Sequence, residues 1–474
     1  MSYTCRALCS YLVAIVAFVN CSPRPRIEPP APKIACDPDN AGITVPTGFC
    51  ALVFAQGLAH ARYLDVAENG DVYVSIENTA TNDTVQRPAV YALRDTTHDG
   101  RADLVQPFGK RGNTGILLYN DWLYVDQGEK INRYFRPPGQ LLPTAQGETV
   151  VSGLPMTPGH RARNFAIAPD GAMYVNIGSP GNACQVKDRA KESPGKNPCE
   201  ELETRAGIWK FDANRVNQTF SPFARFATGA RNSTGLAFVP ISMEAPQRGG
   251  RGMQRQTQQQ QRGDRRPMTQ MMMRAGPLYA MTHGRDQLTE NWPKLFPDTL
   301  YGSENPAEEM IQVNAGDDFG WPYCYYSFEV GHLVDAPEYG GDGRRTVLCI
   351  GKKQPAAVYP AHWAPLDLIF YTGASFPQEY RGGAFISFHG SWNRMKGMQA
   401  GGKIVYQPFK GGKPSGDYQI FADGFAGVPP TEIHPATAKH RPVGMAVGPD
   451  GSLYVADDKG GRIYRIIYNG PPSP

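Results

Sequence analysis

A lone histidine and a scattered set of arginines are the residues of this chain best suited to chemistry. His160 and Arg163 lie in GHRARNF, just ahead of an apolar run. Arg231 and Asn232 lie in ATGARNSTGLAF, and His283-Gly284-Arg285-Asp286 follow GPLYAMT. Trp392, Asn393 and Arg394 sit in FHGSWNRMKG, and Arg441 leads into RPVGMAV. A histidine can act as acid or base near neutral pH. Arginines grip anions through paired N–H groups, so the set suits an anionic ligand. Taken singly, each arginine reads as a solvated or structurally paired side chain; the functional reading gains weight because several recur at equivalent places.

Those places are defined by a repeated hairpin. LDVAENGDVYVS, Leu64–Ser75, turns at Asn69-Gly70, and GILLYNDWLYV turns at Asn120-Asp121. NFAIAPDGAMYV turns at Asp170-Gly171, and VGMAVGPDGSLYVA nearly reproduces it at Asp450-Gly451. Asx-Gly between two apolar, β-prone runs is a strong hairpin signal. GLAFVP and GPLYAM read as one hairpin split by an insertion, and YRGGAFISF, Tyr380–Phe388, as a weaker one. Turn centres near 70, 120, 171, 276, 382 and 451 give a unit of roughly 50 residues, which predicts an all-β, six-bladed β-propeller with one four-stranded sheet per blade. His160, Arg231 and Arg441 enter their hairpins from the same side, so superposed blades would bring them to one mouth of the central channel.

Composition agrees. The chain has 474 residues with 52 glycines, 42 prolines and 11% aromatic residues, which favours short strands and tight turns over long helices. The formal charge of +4 is local: residues 247–274 hold seven arginines and one acid, so the rest carries −2 and offers no nucleic-acid surface. That Gln/Arg/Met-rich stretch reads as a disordered insert in a hairpin loop. The apolar segment Leu12–Val19 reads as the core of an export signal over residues 1–21, followed by a proline-rich linker over 22–35 and a propeller domain over 36–470. Cys21 is a site for lipid attachment if the exported chain is a lipoprotein. The remaining cysteines fall into sequence-local couples, Cys36 with Cys50, Cys184 with Cys199 and Cys324 with Cys349, which suits disulfides in an oxidising compartment, periplasmic or at the cell surface.

Several motifs, taken in order, carry a resemblance: GHRARNFAIAPDGAMYVNIGSPGNAC, ATGARNSTGLAF, NAGDDFGWPYCY, HWAPLDLIFYTG, FHGSWNR and RPVGMAVGPDGSLYVADD. Together they resemble the pyrroloquinoline-quinone (PQQ)-dependent sugar dehydrogenases, closest to the sorbosone and pyranose dehydrogenase branch, over most of residues 40–468 outside the insert. The resemblance implies a propeller that binds the quinone and calcium over its channel and oxidises a sugar hydroxyl or aldehyde hydrate, passing electrons to an acceptor the sequence does not name. It implies His160 as the general base, Arg231 and Asn232 beside the reactive carbonyl, and Arg441 on a cofactor carboxylate. Trp392 and Arg394 stand where the glucose enzymes carry a lysine and a second arginine, and are expected to replace them.

The same resemblance places calcium on backbone carbonyls of His283, Gly284 and Arg285. A second calcium candidate comes from spacing alone: Asp95, Asp99 and Asp103 in DTTHDGRAD, weighed against a plain polar turn. Two other readings compete, a non-catalytic propeller that binds glycans or proteins and a metal-dependent lactone hydrolase. The hydrolase would need carboxylates and an asparagine converging on the metal, where the motif positions hold arginines and a histidine.

Overall fold

The Asx-Gly turns form as their chemistry requires. Gly70, Gly171 and Gly451 take φ of 87°, 89° and 81°, a left-handed conformation that only glycine adopts without strain. The computed structural model describes residues 34–78, 87–156, 158–242, 273–395 and 398–471. The expected export signal, Cys21, residues 22–33 of the linker and most of the insert lie outside them.

Six four-stranded antiparallel sheets follow one another along the chain, and together they make a six-bladed β-propeller. Blade 1 comprises Ala61–Val66, Val72–Ile76, Val90–Arg94 and Leu104–Phe108. Blade 2 comprises Ile116–Tyr119, Trp122–Asp126, Lys130–Phe135 and Glu148–Ser152, extended by Gln218–Thr219. Blade 3 comprises Phe165–Ile167, Ala172–Ile177, Gly207–Asp212 and Arg225–Thr228. Blade 4 comprises Ser233–Ser242, Met273–Thr282, Glu308–Val313 and Ala357–Tyr359. Blade 5 comprises Pro365–Phe370, Ala384–Phe388, Lys403–Gln407 and Gln419–Ala422. Blade 6 comprises Pro442–Val447, Leu453–Asp457, Ile463–Tyr468 and, from the other end of the chain, Phe49–Ala55. Among the described residues the helices are two short ones, Leu288–Asn291 and Thr299–Glu304.

Two details depart from the sequence reading. The first strand of blade 5 is Pro365–Phe370, thirteen residues upstream of its partner, and Tyr380 lies in a short 3-10 turn, Gln378–Tyr380. The ring closes through Phe49–Ala55, which pairs with Ile463–Tyr468 in the register Phe49 with Tyr468.

Successive strand residues point to opposite faces of a sheet, and the blades use both. In Val72–Ile76, Tyr73 packs toward blade 2 with Leu123 and Val125, while Val72 and Val74 pack toward blade 6 with Phe54 and Tyr454. One apolar cluster fills each of the six gaps between blades, so no sheet is stable without its neighbours. Polar side chains at the ends of second strands and the start of a first strand stitch the ring. Ser75 Oγ donates to Thr114 O at 2.5 Å, Asn176 Oδ1 accepts from Ser233 N at 3.0 Å, and Thr234 Oγ1 donates to Pro365 O at 2.6 Å. The disulfides Cys36–Cys50, Cys184–Cys199 and Cys324–Cys349 form as the spacing predicts.

The closing strand generates a test. Phe49 meets Phe376, Phe421, Tyr380 and Tyr468 edge-on, with centroids 4.7–5.4 Å apart. Phe49→Ala should therefore lower the free energy of unfolding by about 3–5 kcal/mol in denaturant titration. Phe223→Ala, at a 99% exposed ring, should change it by less than about 0.5 kcal/mol.

Candidate functional site

In an antiparallel blade the first strand starts, the second ends and the third starts at the same rim. Residues just before the first strand or just after the second therefore share one mouth of the channel. His160, Arg231-Asn232, His362 and Arg441 come before first strands; Ser179, His283–Asp286, His389–Arg394 and Asp458 come after second strands.

His160 is fixed by its Nδ1. That nitrogen lies 2.8 Å from Ser179 O and 3.1 Å from Ser179 Oγ, and Ser179 Oγ itself donates to Gly181 O at 2.6 Å. A carbonyl can only accept, so Nδ1 carries the proton and Nε2 is the basic nitrogen. Burial, with the Arg231 charge beside it, pushes the His160 imidazole down to about 3, so it stays neutral. Ser179 N also donates to Arg231 O at 2.8 Å, which ties the histidine loop to the arginine loop. Gly178 makes this possible by being bare: a Cβ there would lie 2.6 Å from His160 Cβ and 2.7 Å from Asn232 Oδ1.

Arg231 is an anchor. Its Nε donates to Asn182 O at 3.1 Å, Nη1 to Gly284 O at 3.0 Å, and Nη2 to Asn182 Oδ1 at 3.1 Å and Asp286 Oδ2 at 2.9 Å. Asp286 also takes Arg189 Nη2 at 2.7 Å, accepts from Asn393 Nδ2 and lies 4.0 Å from His362 Nδ1. Burial works against the Asp286 charge, yet Arg231 and Arg189 hold its carboxyl well below the usual carboxylate range. Asn232 is buried, with Nδ2 3.3 Å from His283 Nδ1 and Oδ1 accepting from Asn176 Nδ2 at 3.3 Å. Burial, with Arg231 nearby, also keeps His283 neutral, down to about 4.

A second network holds the opposite wall. His389 Nε2 lies 2.9 Å from Asp458 Oδ1, and Asp458 Oδ2 accepts from Arg62 Nη1 at 2.6 Å, with Glu77 3.3 Å from Arg62 Nε. Arg441 donates from Nε to His389 O at 3.1 Å and from Nη2 to Gly390 O. Among the described residues no carboxylate pairs with Arg441, and burial brings its guanidinium down to about 10.

Three sequence expectations change. The guanidinium of Arg394 is committed to the fold: Nη1 donates to Ser303 O at 2.7 Å and Ala361 O at 3.0 Å, Nε to Met398 O at 2.8 Å, and Nη2 pairs with Glu304. Arg163, 2% exposed, bonds Gly128 O and Pro155 O rather than reaching the mouth. The second calcium candidate is a run of capped turns in which one buried oxygen, Asp95 Oδ1, has no hydrogen-bond partner among the described residues. Asp95 caps Gly100 N at 2.9 Å, Asp99 caps Arg101 N at 2.9 Å and Asp103 caps Thr96 N at 2.7 Å, so each carboxylate closes its own turn. Among the described residues the one convergent set of three potential ligands is Cys324, Asp335 and Cys349, where the cysteines form a disulfide.

Trp392 stands on the mouth with half its surface exposed. Sequence reasoning missed Ser179, Asn182, His362 and the Arg62–Asp458–His389 chain. Signals for all four were present in SPGNAC, HWAPLD, FHGSW and VADD, motifs already quoted for other residues.

The profile of the TrAA12-like family matches residues 43–469. An uncharacterized protein of Borreliella burgdorferi is 23% identical over 447 residues, covering 92% of this chain and 93% of that protein. Among solved structures, a Trichoderma reesei carbohydrate-active enzyme of family AA12, also solved in a calcium form, superposes with a TM-score of 0.67 at 18% identity, covering 90% of this chain and 98% of that one. The holo PQQ domain of pyranose dehydrogenase from Coprinopsis cinerea does so at 0.66 and 18% identity, covering 90% and 97%. These structural likenesses bear on the fold, whereas the profile runs through every blade and both walls of the mouth. The chain belongs to the TrAA12-like family of PQQ-dependent oxidoreductases.

Proposed function

We propose that the protein oxidises a hydroxyl of a sugar or related polyol, with His160 Nε2 taking the hydroxyl proton. The observation that carries this reading is the locked tautomer: Ser179 O fixes the proton on Nδ1 and leaves Nε2 as the acceptor of a neutral ring. The relatives add to it, since one solved neighbour is a holo PQQ domain.

The donor set suits the quinone. PQQ carries several carboxylates, and Arg441 offers a buried cation that no carboxylate neutralises among the described residues. Arg441 would hold such a carboxylate, while Asn232 and the Arg231 charge would steady negative charge developing on the quinone's reacting carbonyl. When bound, the quinone supplies a two-electron sink for the hydride leaving the sugar carbon. Trp392 gives the mouth an exposed ring against which a sugar face can pack.

For calcium, the carbonyls of His283 and Arg285 and the nearby Glu308 carboxylate are hard oxygen donors of the right kind. The Gly284 carbonyl is less available, because Arg231 Nη1 already donates to it. We assign the ion to this loop on that donor chemistry. Export to an oxidising compartment is part of the same proposal, on the strength of three disulfides.

Reconstitution with PQQ and calcium, followed by dye reduction across a sugar panel, tests the assignment. Bound quinone with sugar-dependent reduction is expected; failure to bind quinone would leave a non-catalytic binding propeller as the better reading. His160→Ala should lower kcat by about 10²–10⁴-fold while quinone binding, read by absorbance, persists. The pH profile carries the sign of the His160 shift. A histidine depressed to about 3 keeps its base form as pH falls, so kcat/KM should show no acid limb near 6.5. A limb there would show a histidine that titrates normally. Arg441→Ala should weaken quinone affinity by about ten- to a hundredfold, the worth of a charged hydrogen bond.

A further inference from the structure

The central channel holds a group of oxygen atoms that the chemistry at the mouth does not use. A cavity of about 380 Å³ runs between the innermost strands of all six blades. Its wall is mostly apolar, yet it includes Asp65 of blade 1, Asp367 of blade 5 and Asn164 ahead of blade 3, and no lysine, arginine or histidine. The two carboxylates are held by backbone amides. Asp65 accepts from Val66 N at 2.8 Å and Leu118 N at 2.7 Å; Asp367 accepts from Leu368 N at 2.9 Å and Met445 N at 2.7 Å. One bond per oxygen orients a carboxylate and leaves it lone pairs to spare.

Asn164 supplies an independent observation. It is 6% exposed, and its buried Oδ1 has no hydrogen-bond partner. An orphaned amide oxygen of this kind costs about 1–3 kcal/mol unless something binds it. Two negative charges on one apolar cavity must likewise be neutralised, either by protons or by a cation. Burial already pushes Asp65 up to about 6 and Asp367 up to about 7, the latter helped by the Asp65 charge. Arg136 acts on Asp65 from outside the cavity.

We propose that the channel binds one hard divalent cation through the carboxylates of Asp65 and Asp367 and the Oδ1 of Asn164, with water completing its shell. Carboxylate, amide and water oxygens are what calcium takes, six to eight at a time, and the cavity has room for a partly hydrated ion. The site belongs to the scaffold and is separate from the loop His283–Arg285 at the mouth.

Calcium binding to chelator-treated, quinone-free protein tests it, read by titration calorimetry and by the calcium-dependent rise in thermal midpoint. The wild-type chain should bind one more calcium equivalent than Asp65→Asn/Asp367→Asn, and the double variant should still take up quinone. Asn164→Asp adds a third carboxylate and should tighten that equivalent by about tenfold, since ligand charge sets calcium affinity; this variant keeps the test independent of whether the double variant folds. Equal stoichiometry in wild type and double variant, or an affinity unmoved by Asn164→Asp, would overturn the site. Protons alone would then neutralise the pair.

Discussion

The guanidinium of Arg231 is 4% exposed, so water cannot solvate it and the protein must supply both its acceptors and its counter-charge. It draws them from two loops: Asn182 after blade 3's second strand, and Gly284 and Asp286 after blade 4's. Asp286 then reaches Asn393 after blade 5's second strand. A buried ion pair of this kind adds little stability over an apolar substitute, but losing one partner costs about 3–5 kcal/mol because a charge is stranded. The pair is thus better understood as a device for register. It fixes the angle between three blades at the rim that carries His160 and Asn232.

The two walls of the mouth use the same logic with different remainders. On one, Asp286 is shared by Arg231 and Arg189, and the histidines His160 and His283 are kept neutral by burial. On the other, Asp458 is shared by Arg62 and His389, and among the described residues the Arg441 guanidinium bonds backbone carbonyls. Among the described residues the mouth therefore combines neutral histidines with a guanidinium, that of Arg441, that no carboxylate hydrogen-bonds. That asymmetry is what a ligand with an anionic end and a site of proton loss requires. A symmetric set of satisfied ion pairs would serve the fold equally well and bind nothing.

What could be read from sequence follows the range of the interactions. The hairpins were legible because an Asx-Gly turn and its flanking strands are local, as at Gly171 and Gly451. Blade 5 was only half legible: residues 371–383 separate its first two strands, so the strand inside HWAPLDLIFYTG showed no turn beside it. The closing strand Phe49–Ala55 was invisible, since its partner lies more than 400 residues away. Arg394 was misread for the same reason. Its motif placed it beside Trp392 and Asn393, but its acceptors Ser303, Glu304 and Ala361 are more than thirty residues upstream. Asp95, Asp99 and Asp103 differ in the opposite sense: their spacing resembles a metal loop, and local bonds to Gly100 N, Arg101 N and Thr96 N occupy an oxygen of each.

The basic insert can be placed by the same topology. Ser242 ends the first strand of blade 4 and Met273 starts the second, paired with each other at the far rim. The mouth lies at the start of the first strand and the end of the second, where Ser233 pairs with Thr282. The insert is thus attached a full ten-residue strand away from Arg231 and His283. A hairpin turn at that rim can lengthen without changing the register of Leu236 with Ala280 or Phe238 with Leu278, because those pairs are fixed by packing against blade 3. Both ends of the basic insert therefore attach at the rim opposite the mouth.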